Sequence, residues 1–338
     1  MRHATITGTG SFVPARVLTN AELSAMVGED VDDFVTRVLG IRERRWCAPD
    51  ESAADLAEEA ARAALADAGL TPGDVDLLIV STDTPEYVSP ATSSVLAGRL
   101  GLPAAVGTFD LNSACAGFVT ALDAAWKYVR ADERYERVLV VAVYAMSKFL
   151  DPSDKKTATI FADGAGAVVV ELADAPGILA AELASDGSLA DGMGVFAGGT
   201  AEPITPEVLA EGYRNRLRFV RKYPKEVNEE GWPRIVRSVL GRIGERVEAV
   251  DLWLWTQVNR STIEVVMERL GQPMAKAHTV MEKWGYTGSA CLPMALDDAA
   301  RAGRLHPGDL VVMTGSGAGL AMGCVALRWN PRRSGADG

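Results

Sequence analysis

The sequence predicts an α/β protein built from two similar halves, and three observations carry that expectation. Apolar runs of strand length alternate with longer helical patterns along 338 residues. The strand runs are almost continuously apolar, the pattern of largely parallel sheets covered by helices on both faces. Finally, DVDLLIVST at 74–82 and AVDLWLWTQ at 249–257 each stand between helical patterns, a weak duplication at a period near half the chain.

In the first half, Leu56 to Ala68 is alanine-rich with acidic residues early, a good helix that Gly69 to Gly73 stops. Val75 to Ser81 reads as a buried strand, Ala91 to Leu100 as a helix and Gly107 to Leu111 as a short strand. Ala116 to Val129 is a second helix and Val138 to Ala145 another buried strand. In the second half, Trp232 to Arg246 is helical and Val250 to Thr256 is a strand. Val265 to Leu270 and Pro293 to Ala302 belong to two further helices. Leu310 to Thr314 is a strand leading into a glycine loop, Gly315 to Gly319, and Gly323 to Trp329 closes the chain. A seam after Gly164-Ala165-Gly166 and the strand Val168 to Glu171 divides the chain into 1–173 and 174–338, packed together rather than independent. Within the second half, 187–231 is irregular, glycine-rich and then basic. Six of the twelve residues from Arg214 to Lys225 are Arg or Lys. Such a run is either a solvated helix face or a docking site for phosphate or an acidic carrier.

Composition narrows the function. The chain is 48 % hydrophobic and carries a formal net charge of −11, the opposite balance to a nucleic-acid binder. Only His3, His278 and His306 are histidines, so a multi-histidine metal site is poorly supported. Cys47, Cys115, Cys291 and Cys324 form no C-x-x-C pair, so neither a zinc ribbon nor a dithiol redox motif is written. No signal peptide opens the chain, and no apolar run spans a bilayer. The expectation is a cytoplasmic protein with free thiols, no bound metal and no membrane or nucleic-acid partner.

The most informative segment is Asn112-Ser113-Ala114-Cys115-Ala116-Gly117-Phe118. A short strand ends, small residues permit a tight turn, and a helix begins at Cys115. A thiol there faces unpaired backbone N–H groups, and the helix dipole favours its thiolate. The same N–H groups suit the oxyanion of an attacked thioester. Spacing alone leaves an inert core cysteine as the alternative.

This turn resembles the active site of the β-ketoacyl-ACP synthase III family in the thiolase superfamily. Other stretches agree in order: Gly8-Thr9-Gly10-Ser11-Phe12-Val13-Pro14, Gly40-Ile41-Arg42-Glu43-Arg44, Phe161 to Ala167, Leu296-Asp297, Pro307-Gly308-Asp309 and Gly315 to Gly319. The resemblance covers nearly the whole chain outside roughly 190–230. It implies a five-layered αβαβα fold, a homodimer, and acyl transfer from coenzyme A onto Cys115. Acyl-CoA is then a substrate and no cofactor is bound. The N–H groups of Cys115 and of Ala318, in the glycine loop, are the implied oxyanion hole.

Two positions depart from the family. Its histidine heads an H-Q-A-N segment, where this chain has Thr256-Gln257-Val258-Asn259. Its asparagine lies in G-N-T-S, where this chain has Gly285-Tyr286-Thr287-Gly288. His278 and His306 do not stand where they could substitute. Thr256 offers a short hydroxyl, and Tyr286 a phenol able to donate a hydrogen bond or a proton. Cys115 acylation needs neither, so the loss falls on the second half-reaction. Asp83 stands where the related hydroxymethylglutaryl-CoA synthases carry a catalytic glutamate, and reads either as that base or as a loop cap; Glu86 is a second carboxylate of the loop. Cys291 reads as packing. For coenzyme A, the resemblance implies Arg42 and Lys155 near the phosphates and Asn259 on the pantetheine. Arg37 or Phe34 covers the adenine, the match being ambiguous by one residue. Ser261 replaces a basic carrier-binding residue, which favours free acyl-CoA, while Arg214 to Lys225 keeps an acyl carrier protein in play. Three functions follow: a condensing acyltransferase forming a carbon–carbon bond, an aldol condensation of the hydroxymethylglutaryl type, or a non-catalytic subunit beside another thiolase-fold protein.

Overall fold

A computed structural model describes residues 2–331. Its frame is two sheets. The first contains β1 (His3–Phe12), β2 (Leu77–Ser81), β3 (Gly107–Leu111), β4 (Arg137–Ala145) and β5 (Asp163–Ala173), in the order β1-β5-β4-β2-β3. The second contains β6 (Ile178–Ser185), β7 (Leu252–Trp255), β8 (Leu310–Gly317) and β9 (Ala321–Arg328), in the order β7-β8-β9-β6. Helices α1 (Ala53–Asp67) and α2 (Thr92–Leu100) cover the outer face of the first sheet. Helices α3 (Gly117–Ala131) and α6 (Cys291–Arg301) lie between the sheets. Helix α4 (Gly231–Arg242) covers the far side of the second, with α5 (Arg260–Arg269) beside it. This is the five-layered αβαβα arrangement.

The sheets are mixed, not largely parallel. Within them only β2 with β3, β2 with β4 and β7 with β8 run parallel; the other four ladders are antiparallel. The physical reason is that burial on both faces, not strand direction, makes a strand apolar throughout. In β4, Val138, Val140, Ala142 and Tyr144 point into the core between the sheets. Leu139, Val141, Val143 and Ala145 point into the outer core under α1. Each fully buried Val or Leu contributes roughly 1.5–3 kcal/mol, so β4 alone is a major source of stability.

Two other expectations change. The strand β8 runs on through Gly315, Ser316 and Gly317, so the glycine loop shrinks to a tight connection into β9. The basic run 214–225 is not a helix face. Arg218 and Phe219 pair with Met193 and Gly194 as a two-residue ribbon. The Arg218 guanidinium sits 5.4 Å from the ring centroids of both Phe196 and Tyr213. Arg214 pairs with Glu202 and Glu211, Arg221 with Asp191, and Arg216 donates to the Lys148 carbonyl at 3.1 Å. Pro224 and the lack of an apolar helical period leave the run irregular, and its arginines staple the segment to itself.

The glycines of the first signature are packing devices. A Cβ on Gly10 would lie 2.4 Å from the Ala64 nitrogen and 2.5 Å from the Ala60 carbonyl oxygen. Only glycine lets β1 approach the alanine face of α1 so closely. Gly10→Ala is expected to destabilise the protein by about 2–3 kcal/mol, read as a lower urea midpoint with an unchanged slope.

Candidate active site

The strand β3 ends at Leu111 and a single turn of 3₁₀-helix, Ala114–Ala116, runs into α3. Ala114 is held at φ 45°, a conformation costly for a residue with a Cβ. The Asn112 Oδ1 accepts from its N–H at 2.9 Å. This turn places Cys115, 2 % exposed, at the front of α3. Against it lies the end of β8. A Cβ on Gly317 would stand 2.4 Å from the Cys115 nitrogen, so glycine is required for that approach.

Tyr286 reaches the same point from the other half. Its backbone is pinned beside β5: its N–H donates to the Ile160 carbonyl at 3.1 Å and its carbonyl accepts from the Ala162 N–H at 2.8 Å. Its ring lies against Phe161, with centroids 5.5 Å apart. Its hydroxyl stands close enough to the Cys115 sulfur to favour the thiolate. Thr256, at the end of β7, is buried, and its Oγ1 accepts from the Ser316 N–H at 3.0 Å. A cavity of about 110 Å³ is walled by Cys115, Tyr286, Thr256 and Ala318 together with Phe161 and Asn228.

Asp83 lies near enough for its charge to act on Cys115 but is not part of that wall. It is half-buried, and its Oδ1 is sealed from solvent without a hydrogen-bond partner. Burial pushes its carboxyl up to about 6. Glu86 caps α1's start, accepting from the Ala54 N–H at 2.8 Å.

The thiolate-favouring environment expected for Cys115 is not the resting one. Burial drives its thiol well above the ordinary range, and the Asp83 charge drives it further; the Tyr286 hydrogen bond pulls it back. Tyr286 and Tyr144, equally buried, are also raised well above theirs. Desolvation outweighs the helix N-terminus here, so the resting thiol is neutral.

A second cavity of about 660 Å³ adjoins the first, Phe219 forming part of both walls. Lys155, Lys156, Arg221 and Lys222 line it, with Phe34, Glu29 and Asp30. Lys155 pairs with Glu29 at 2.6 Å; among the described residues Lys156 and Lys222 have no carboxylate partner. The other residues implied for coenzyme A lie elsewhere. Arg37 is exposed and pairs with Asp33, and Arg42 pairs with Glu282 at 2.7 Å beside a separate depression. Asn259 caps α5, accepting from the Thr262 N–H at 2.7 Å. The ambiguity between Arg37 and Phe34 has a structural counterpart. Val35–Leu39 is a π-helical turn, which takes up one extra residue, and Phe34 is the side chain facing the cavity.

Cys291 is fully buried at the start of α6 and its thiol is pushed up to about 12, as is that of Cys324. His278 is buried, its Nε2 2.8 Å from Asp298, away from both cavities. Sequence reasoning missed Tyr223, Val227 and Asn228, which wall the Cys115 cavity from the irregular segment. The available signal was the segment's own departure from the family pattern, with polar and aromatic side chains just before Trp232.

Two regions, 109–187 and 240–329, match the models of 3-oxoacyl-[acyl-carrier-protein] synthase III and of its C-terminal part. A β-ketoacyl-[acyl-carrier-protein] synthase III of Alkalilimnicola ehrlichii is 37 % identical over 97 % of this chain and 100 % of its own. An acetoacetyl-CoA synthase of a Streptomyces strain is 35 % identical over 96 % of this chain and 98 % of its own. The crystal structure of a 3-oxoacyl-[acyl-carrier-protein] synthase III from Aquifex aeolicus superposes with a TM-score of 0.87 at 33 % identity, covering 96 % of this chain and 100 % of that one.

The electrostatics predict opposite effects of two substitutions on alkylation of Cys115 by iodoacetamide at pH 8. Tyr286→Phe removes the hydrogen bond that favours the thiolate and slows labelling by roughly threefold or more. Asp83→Asn removes a repelling charge and speeds it. Asp83 also predicts a stability profile. Its folded carboxyl titrates at about 6, above its ordinary 3.8. The native state therefore holds the proton more tightly, and stability falls as pH rises between those values. Asp83→Asn flattens that fall in thermal melts.

Proposed function

The chain belongs to the 3-oxoacyl-[acyl-carrier-protein] synthase III family of condensing acyltransferases, and we propose that it loads a short acyl group from a coenzyme A thioester onto Cys115 and passes it to a second thioester with formation of a carbon–carbon bond. The observation that carries this reading is Cys115, together with Tyr286, in the wall of a cavity of about 110 Å³. That volume holds a short acyl group.

In the first step the Cys115 sulfur attacks the thioester carbonyl. The N–H groups of Cys115 and Ala318 receive the oxyanion, and coenzyme A departs as the thiol with the proton Cys115 gives up. In the second, a carbon nucleophile attacks the acyl-enzyme and the Cys115 sulfur leaves, supported by the Tyr286 hydroxyl. Thr256 lines this site and holds Ser316. Loss of carbon dioxide from a malonyl thioester supplies the nucleophile without a base. Asp83 supports a second reading: above pH about 6 its carboxylate suits removal of the α-proton of an acetyl thioester, as in the hydroxymethylglutaryl type of condensation.

The larger cavity suits the arm and nucleotide of coenzyme A. Lys155, Lys156, Arg221 and Lys222 line it, and these supply phosphate contacts, with Phe34 beside the base. Arg37, Arg42 and Asn259 then serve helix and surface pairing in this chain. An acyl carrier protein is the alternative donor or acceptor, approaching the same cations. No cofactor enters the chemistry. We place the enzyme in the cytoplasm, in keeping with its four free cysteines. No helix among the described residues is long and apolar enough to cross a membrane. We also propose a homodimer paired along β3, a sheet edge half-exposed along all five residues.

Intact mass after incubation with a panel of acyl-CoAs tests the first step. An acyl adduct forms in the wild type and is absent in Cys115→Ala; no adduct with any donor overturns the acyl-CoA reading. The joint substitution Lys156→Glu and Lys222→Glu is expected to raise the Kd for acyl-CoA by about tenfold at low salt, with a smaller loss at 1 M salt, where charges are screened.

A further inference from the structure

The cavity beside Cys115 has one wall from a segment outside the two family-matched regions, and that wall carries Asn228. Asn228 is half-buried in the short turn of helix Glu226–Glu229. Its amide is oriented by a short hydrogen-bond chain. The Trp232 indole N–H can only donate, and it donates to Ser316 Oγ at 3.1 Å. Ser316 Oγ in turn donates to Asn228 Oδ1, 2.7 Å away. The Ser316 backbone is held in turn by its N–H donating to Thr256 Oγ1 at 3.0 Å. With Oδ1 turned to Ser316, Nδ2 faces the other way. Among the described residues its two hydrogens have no acceptor.

A thioester that gathers negative charge on its oxygen here needs a neutral donor held in place beforehand. The cavity's other side-chain donors suit that role less well. The Tyr286 hydroxyl stands beside Cys115, the Tyr223 hydroxyl donates to the Leu189 carbonyl at 3.4 Å, and Thr256 Oγ1, which accepts from the Ser316 N–H, has only a short reach for its own proton. We propose that the Nδ2–H of Asn228 is that donor: a catalytic amide that hydrogen-bonds the thioester oxygen of the acyl acceptor as its enolate forms. No proton is transferred, and the Trp232–Ser316 pair positions the amide. The inference rests on the acyl-transfer reading above.

The test separates loading from transfer. Rapid-quench mass spectrometry of the full chain measures acetylation of Cys115 by acetyl-CoA, and then discharge of the acetyl-enzyme by malonyl-CoA. Asn228→Asp keeps the shape and the acceptor for Ser316 but loses the N–H donors. It is expected to slow discharge by about 100-fold, the order of one lost oxyanion donor, and to slow loading far less. Asn228→Gln, which keeps an amide, restores part of the discharge rate. Should Asn228→Asp fail to fold, Asn228→Ala carries the same comparison. Discharge within about threefold of wild type, or equal slowing of both steps, overturns the proposal. If the wild type is not acetylated at all, the acyl-CoA reading falls instead. The amide is then read by calorimetric titration of malonyl-CoA into the Cys115→Ala protein. Asn228→Asp weakens that binding several-fold, and an unchanged affinity overturns the donor role.

Discussion

The site depends on how closely the end of β8 lies against the turn that carries Cys115. At Gly317 the two backbones leave no room for a side chain, with 2.4 Å between a notional Cβ and the Cys115 nitrogen. Gly315 meets the Cys115 carbonyl from the same strand, where a Cβ would stand 3.1 Å from the oxygen. Between them, Ser316 is the residue that alternation turns outward, toward Trp232 and Asn228. One glycine-permitted contact therefore seats Cys115 where the two sheets meet. It also sets Ala318 beside it and directs the polar chain on the opposite wall. The positive φ of Ala114 is part of the same constraint, since an ordinary turn would carry Cys115 away from β8.

A buried set of titratable groups follows from that packing, and burial sets their protonation. Cys115, Tyr286 and Tyr144 are all pushed toward their neutral forms by burial. A thiol at a helix start is commonly activated by the dipole, yet here water exclusion is the larger effect. Stabilisation must then come from fixed N–H and O–H donors acting as charge develops, which a low-dielectric cavity makes effective. Asp83 is the exception, a carboxylate poised near 6 whose charge opposes the thiolate.

The irregular segment between β6 and α4 gives the protein its individuality. Its arginines fold it on itself through Glu202, Glu211, Asp191 and two aromatic rings. This frees Lys222 to face the larger cavity and brings Asn228 to the smaller one. The run of positive charge is thus mostly architecture, with one or two residues left for a ligand.

The strands, the main helices and the turn that carries Cys115 were legible in the residues themselves. Apolar runs and small-residue turns are local patterns, and Cys115, Thr256 and Tyr286 stand within motifs that read in order. What tertiary structure decided was everything that depends on proximity across the chain. Strand direction was one such matter, since burial makes β4 and β9 equally apolar whichever way their neighbours run. The protonation of Cys115 was another, because its burial involves residues as far along the chain as Thr256 and Tyr286. Which of Phe34 and Arg37 lines the larger cavity was a third, since Val35–Leu39 is a π-helical turn and Phe34 is the one in the wall. Asn228 carried no periodic or motif signal; it matters because the fold sets it in the wall of the Cys115 cavity and because a serine on β8 holds its amide.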